Sequence, residues 1–183
     1  MGMKYALTNA VLLDGSRDMK PQTGMSVLVD GEKIADIVPD NRIPVAYERR
    51  DLGGRYLIPG LINMHVHLAG SGKPQKKQRD NEKLVSTIMG SALTRAVAYK
   101  MVCGFAHDAL MSGVTTIRTV GGLGDFDTRL RDEIAAGTRV GPRILAANRG
   151  ISVPGGHMAG SVAIAAHNTE EAIAHLHASA KEK

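Results

Sequence analysis

The sequence predicts an α/β fold in two parts, and three of its features carry that prediction. Residues 1–56 hold short β-rich runs divided by turn signals, and from residue 57 strand-like and helix-like stretches alternate three times. Glycine is frequent, with 21 residues, as many tight loops between elements require. Residues 1–56 therefore read as a small antiparallel β unit. Residues 57–183 read as three β/α units of a parallel fold, whose ligand sites gather at the carboxyl ends of the strands.

The first runs are Lys4 to Leu13 and Met25 to Val38, and Asp30-Gly31 between Val27-Leu28-Val29 and Ile34-Ala35-Asp36-Ile37 signals a hairpin. A third run passes through Asp51 to Ile58, is broken by Pro59-Gly60, and resumes as Leu61-Ile62-Asn63-Met64-His65-Val66-His67. Beyond it, Leu84, Ile88, Ala92 and Ala96 lie four apart beside a second row of Val85, Met89, Leu93 and Val97. This is a helix with one broad buried face, ending at Gly113 and open to interruption at Gly90 or Gly104. Val114 to Val120 is β-branched enough for a buried strand and is closed by Gly121-Gly122. Phe126, Leu130 and Ile134 mark a helix stopping at Gly137, and Arg143 to Ala147 is a third strand. A Gly-rich loop follows, then a last helix that Asn168 caps with Glu171 three residues on. The alternation fits a barrel or an open sheet. A complete (β/α)8 barrel takes about 250 residues, so a barrel would be less than half present. Three parallel strands leave their edges bare, and further chain is expected to complete the sheet.

Composition narrows the partners. Lysine and arginine exceed the acidic residues by 23 to 18, but only Lys73, Lys76, Lys77 and Arg79 cluster, and the chain has two phenylalanines, four tyrosines and no tryptophan. Neither a basic face nor a base-stacking surface follows, so nucleic acid is not an expected partner. No apolar run approaches the roughly 20 residues that span a bilayer. The single cysteine, Cys103, has no intramolecular partner and reads as a buried, inert thiol. A cytoplasmic protein without a membrane partner is expected. The basic segment from Lys73 to Lys83 reads as a solvated loop rather than a lid, and Gly121-Gly122-Leu123-Gly124 lacks the lysine of a phosphate-binding loop and reads as a plain βα turn.

His65 and His67 carry the chemistry. One residue apart on a strand, their side chains share a face, and they fall at the carboxyl end, where two neutral imidazoles can meet one divalent ion. His157, in Pro154-Gly155-Gly156-His157, sits where mobile glycines would let an imidazole reach a substrate carbonyl or carboxylate; a solvated loop histidine fits the sequence equally. His107, His167, His175 and His177 fall in or beside helices, away from the strand ends, and read as surface residues.

The string Asp51-Leu52-Gly53-Gly54-Arg55-Tyr56-Leu57-Ile58-Pro59-Gly60-Leu61-Ile62-Asn63-Met64-His65-Val66-His67 resembles the signature of the amidohydrolase superfamily. Within it the nearest group is similar to the imidazolonepropionase-related and prolidase-like enzymes. Gly113-Val114-Thr115-Thr116-Ile117-Arg118 resembles the second strand of that family's barrel, and residues 1–56 resemble part of its small β-sandwich domain. The resemblance implies that 57–183 form the first three units of a (β/α)8 TIM-like barrel. It also implies one or two divalent ions, zinc foremost, with His65 and His67 as the first two ligands. The family's remaining ligands are a carboxylated lysine, two histidines and an aspartate on later strands, and no residue of this sequence matches them. No catalytic residue is assigned here, and this chain alone is expected to be inactive without the C-terminal part of the enzyme. The family often has Arg-Asp on the second strand where this chain has Arg118-Thr119. The implied reaction is hydrolysis of a C–N bond in an amide, cyclic amide or dipeptide by metal-activated water, in a homo-oligomer. The rivals are deamination and a non-catalytic fragment or pseudoenzyme serving as an interaction module.

Overall fold

The computed structural model describes residues 3–72 and 80–181, and the basic cluster of Lys73, Lys76, Lys77 and Arg79 lies outside the described residues. The chain divides into two compact units, Met1–Pro59 and Gly60–Lys183.

The first unit is all β. Its strands are β1 (Lys4–Thr8), β2 (Val11–Leu12), β3 (Met25–Asp30), β4 (Lys33–Pro39), β5 (Glu48–Asp51) and β6 (Tyr56–Leu57). The expected hairpin joins β3 to β4 with Asp30 opposite Lys33, so its two-residue turn is Gly31-Glu32, one residue later than the sequence suggested. Gly31 takes a φ of +61°, which a two-residue hairpin turn asks of its first position. The sheet order is β4-β3-β1-β5. It is mixed rather than wholly antiparallel. β5 returns alongside β1 in the same direction, and β2 pairs β6 in parallel as a separate two-stranded ribbon. Ala6, Ala10, Leu12, Val27 and Leu28 form the buried centre, and the fully buried Ser26 hydroxyl is satisfied by Asp40.

The second unit opens with β7 (Leu61–Val66), followed by α1 (Asn81–Met89), α2 (Ala92–Met111), β8 (Val114–Thr119), α3 (Phe126–Ala135) and β9 (Arg143–Leu145). After these come β10 (Gly150–Ser152), β11 (Ala163–Ala165) and α4 (Thr169–Lys181). β7, β8 and β9 pair in parallel in chain order, with α2 and α3 as the crossovers. The helical stretch after β7 breaks at Gly90 and not at Gly104. Gly90 closes α1, and the Ser91 hydroxyl immediately caps α2 by accepting from Thr94 N. α4 starts as its sequence predicts, with Asn168 Oδ1 accepting from Glu171 N at 2.8 Å while the Glu171 carboxylate accepts from His167 N at 2.9 Å. The loop after β9 contains two strands that the sequence did not announce, β10 and β11, paired in parallel on either side of His157.

Ile117 and Ile144 on the sheet pack against Val102, Ala106 and Tyr99 of α2 and against Phe126 and Leu130 of α3. That single core fixes the strand ends. β7 is different: Leu61, Ile62 and Met64 are 51%, 64% and 50% exposed, so apolar side chains on both faces of this strand lie uncovered. Cys103 is free and half-buried. No helix among the described residues is long and apolar enough to cross a membrane.

Candidate metal centre

Pro59-Gly60 ends one unit and begins the next, and a packing requirement explains the glycine. A Cβ on Gly60 would lie 2.1 Å from Thr115 Oγ1 and 2.7 Å from Thr115 Cβ, so only a bare residue lets β7 start flush against β8. From there the pairing runs Leu61 to Val114, Ile62 to Thr116, Asn63 to Ile117 and Val66 to Thr119. The step from Asn63 to Val66 spans three residues on β7 against two on β8, which makes a bulge at Met64-His65. Bulges beside active sites re-aim side chains. Asn63 Oδ1 accepts from His65 N at 3.1 Å within this irregular stretch.

His65 is therefore on the bulged strand and His67 one residue beyond its end, which plain strand alternation did not foresee. Their rings nevertheless converge. The centroids are 5.2 Å apart with the planes at 74°. Two imidazoles bound at about 2.05 Å to one tetrahedral ion would place their centroids roughly 5 Å apart, so the pair fits a shared cation. His65 is exposed and His67 half-buried.

His67 is also held in register by its other nitrogen. Nδ1 lies 3.1 Å from the carbonyl oxygen of Gly121 in the turn after β8. A carbonyl can only accept, so Nδ1 carries the proton and, in the neutral ring, Nε2 keeps its lone pair for a ligand. The turn read from sequence as a plain βα connection thus supplies the partner that orients a histidine.

Below that turn lies a buried polar group that sequence reasoning missed. Thr119 Oγ1 accepts from Ala147 N at 3.2 Å, linking β8 to the end of β9. The Asp127 carboxyl on α3 is buried, and burial pushes its pKa up. Hydrogen bonding from Thr119 and the nearness of His67 pull the other way without prevailing. Asn148, also buried and with a φ of +57°, accepts from Thr128 N at 3.2 Å through Oδ1 and donates from Nδ2 to Thr128 Oγ1 at 3.2 Å. It does for α3 what the N-cap residue Asp125 does not.

His157 is exposed in the loop between β10 and β11, and among the described residues no hydrogen bond or ring contact joins it to His65 or His67. Nor do three or more metal-ligating side chains converge anywhere among the described residues, where the pair His65 and His67 is what meets a cation.

Both units of the chain are similar to known proteins. Residues 3–57 match the NagA composite domain and residues 56–183 match the Amidohydrolase family. The chain is 26% identical to an imidazolonepropionase of Arthrobacter sp. (strain FB24) over 147 residues, which are 74% of this chain and 37% of that protein. It is 40% identical to a dihydroorotase of Carboxydothermus hydrogenoformans over 78 residues, which are 42% of this chain and 17% of that protein. A crystal structure of a Xaa-Pro dipeptidase with bound methionine in the active site superposes with a TM-score of 0.75 at 26% identity, covering 98% of this chain and 45% of that one. The chain thus spans less than half the length of each of these proteins. A partial TIM barrel behind a β-rich N-terminal part accounts for its fold. The family that matches residues 56–183 generally uses divalent metals. By a match that covers more than half of its length, the chain belongs to the amidohydrolase family.

Proposed function

We propose that this chain provides His65 and His67 as the first two ligands of a zinc centre in an enzyme that hydrolyses C–N bonds of amides, cyclic amides or dipeptides. The observation that carries this reading is the converging imidazole pair, with His67 fixed through Nδ1 so that Nε2 is left to coordinate. The donor set suits the ion: imidazole nitrogen is a good zinc ligand, and a carbonyl acceptor behind the ring is a common support for one. A bound divalent ion supplies Lewis acidity, which acidifies water toward neutral pH and polarises a carbonyl. This chain's own part is to hold two nitrogens at the strand end and to fix one ring's tautomer.

Two ligands do not make a catalytic site, since catalytic zinc keeps three protein ligands and an open position. The further ligands and the group that protonates the leaving nitrogen would come from the rest of the barrel. The bare apolar faces of β7 supports this reading, because neighbouring strands and helices would cover them. The 183 residues alone are accordingly inactive. His157 lies on a glycine-flanked loop suited to contact substrate, a role for which its exposure leaves room.

The test is an assay of the intact, zinc-loaded protein against three groups of amide substrates, namely simple amides, cyclic amides and Xaa-Pro dipeptides, and in a separate arm against amino-substituted rings. Products are followed by mass and released ammonia by a coupled assay. Addition of water with cleavage of the C–N bond in any of these groups supports the proposal. Ammonia release from an amino-substituted ring in place of amide cleavage would show a deaminase. No turnover by intact protein shown to hold zinc would favour a non-catalytic role.

A further inference from the structure

Against the Gly121-Gly122 turn that orients His67 sits a carboxylate that the proposed function has not used. Asp127, in the first turn of α3, is 1% exposed, and its Oδ2 has no hydrogen-bond partner among the described residues. The turn that meets both groups is bare backbone, and the spacing requires that. A Cβ on Gly121 would lie 3.2 Å from His67 Nδ1, and a Cβ on Gly122 would lie 2.5 Å from Asp127 Oδ2. His67 thus lies against Gly121 and Asp127 against Gly122, in successive residues of one turn.

A buried carboxylate with one unpartnered oxygen is costly unless something compensates it. Hydrogen bonding from Thr119 supports the carboxylate, and its place at the helix N-terminus adds a favourable dipole, yet Oδ2 remains unmatched. The His67 ring, oriented through the Gly121 carbonyl, keeps its Nε2 lone pair for a cation. Building on the assignment of His65 and His67 as ligands, we infer that Asp127 is a positioning residue for the metal centre. It is a fixed counter-charge that braces the Gly121-Gly122 turn, and through the Gly121 carbonyl the His67 ring, and thereby tightens binding of a divalent cation.

The experiment compares intact wild-type protein with Asp127→Asn and His67→Asn. Each is stripped of metal and titrated with Zn²⁺ and with Co²⁺ against a chelator of known affinity. The visible absorption of the Co²⁺ form and the thermal unfolding of the metal-free form are recorded alongside. Loss of an outer-shell partner typically weakens metal binding about 10-fold to 100-fold, and Asp127→Asn should fall in that range, with altered Co²⁺ bands and metal-free unfolding close to wild type. Affinity within about twofold of wild type would overturn the inference, given this expected range. If Asp127→Asn does not fold, Thr119→Val and Thr119→Ser decide. Valine should weaken metal binding and serine should not, and equal binding by the two would overturn the inference. Wild type that binds neither ion, or binds no better than His67→Asn, defeats the ligand assignment itself. Wild type that binds through His67 with Asp127→Asn as its equal defeats only the role given to Asp127.

Discussion

Replacing Gly60 by alanine tests the packing that seats the histidine strand. The added Cβ would lie 2.1 Å from Thr115 Oγ1, 2.3 Å from Cγ2 and 2.7 Å from Cβ. Rotating the threonine moves the first two atoms away but not the third, and carbon atoms settle about 3.5 to 4.0 Å apart. The start of β7 must therefore lift from β8, straining the bond from Leu61 N to Gly113 O. Overpacking of this kind costs about 1 to 3 kcal/mol, and Gly60→Ala should lose that much in urea-induced unfolding of the intact protein. Thr115→Gly removes all three obstructing atoms, so the double variant should recover about 1 to 2 kcal/mol of the loss as coupling energy. Thr115→Ala leaves the Cβ and should recover less. The reasoning is refuted if Gly60→Ala unfolds within about 0.5 kcal/mol of wild type, the usual range for an unstrained surface site. It is equally refuted if the loss persists undiminished beside Thr115→Gly.

Two further outcomes follow from the second unit. Asn148→Ala removes the remote cap of α3 and places alanine at a φ of +57°, so it should cost about 1 to 2 kcal/mol in thermal unfolding, with Asn148→Gly less harmful because glycine accepts that φ. Burial opposes ionisation of Glu133, yet hydrogen bonds from Arg139 and Arg129 hold its pKa at about 2 instead of 4.5. A depressed carboxylate pKa contributes stability that is present above the unfolded value and is lost as pH falls from about 4.5 through about 2. Unfolding followed across that window should show the loss in wild type and a smaller one in Arg139→Gln, which starts less stable at neutral pH.

What the sequence revealed and what it concealed divide by range. Elements set by local chemistry were legible: the β8 strand from its β-branched run, the Asn168–Glu171 cap, and the histidine pair at a strand end, whereas the helical stretch offered two glycines, Gly90 and Gly104, and only packing selected the first. Long-range features were not. The acceptor for His67 lies 54 residues away, and Asn148 caps a helix 20 residues before it. No local pattern encodes either. The bulge at Met64-His65 arises from the register against β8, and the parallel course of β5 beside β1 arises from the path of the intervening hairpin. Asp127 carried a weak signal, an acidic residue in a first helical turn, which on its own reads as a favourable helix dipole rather than as part of a site. The two glycines at 121 and 122 were visible as a turn. Their reason, a histidine against Gly121 and a carboxylate against Gly122, needed the third dimension.

The most direct test of the central claim is zinc K-edge X-ray absorption on the intact protein, comparing wild type with the His65→Gln and His67→Gln double variant. The account predicts imidazole nitrogens at about 2.0 to 2.1 Å in wild type, with the imidazole contribution falling by two or the zinc lost altogether in the variant. An unchanged imidazole shell in the variant would contradict it.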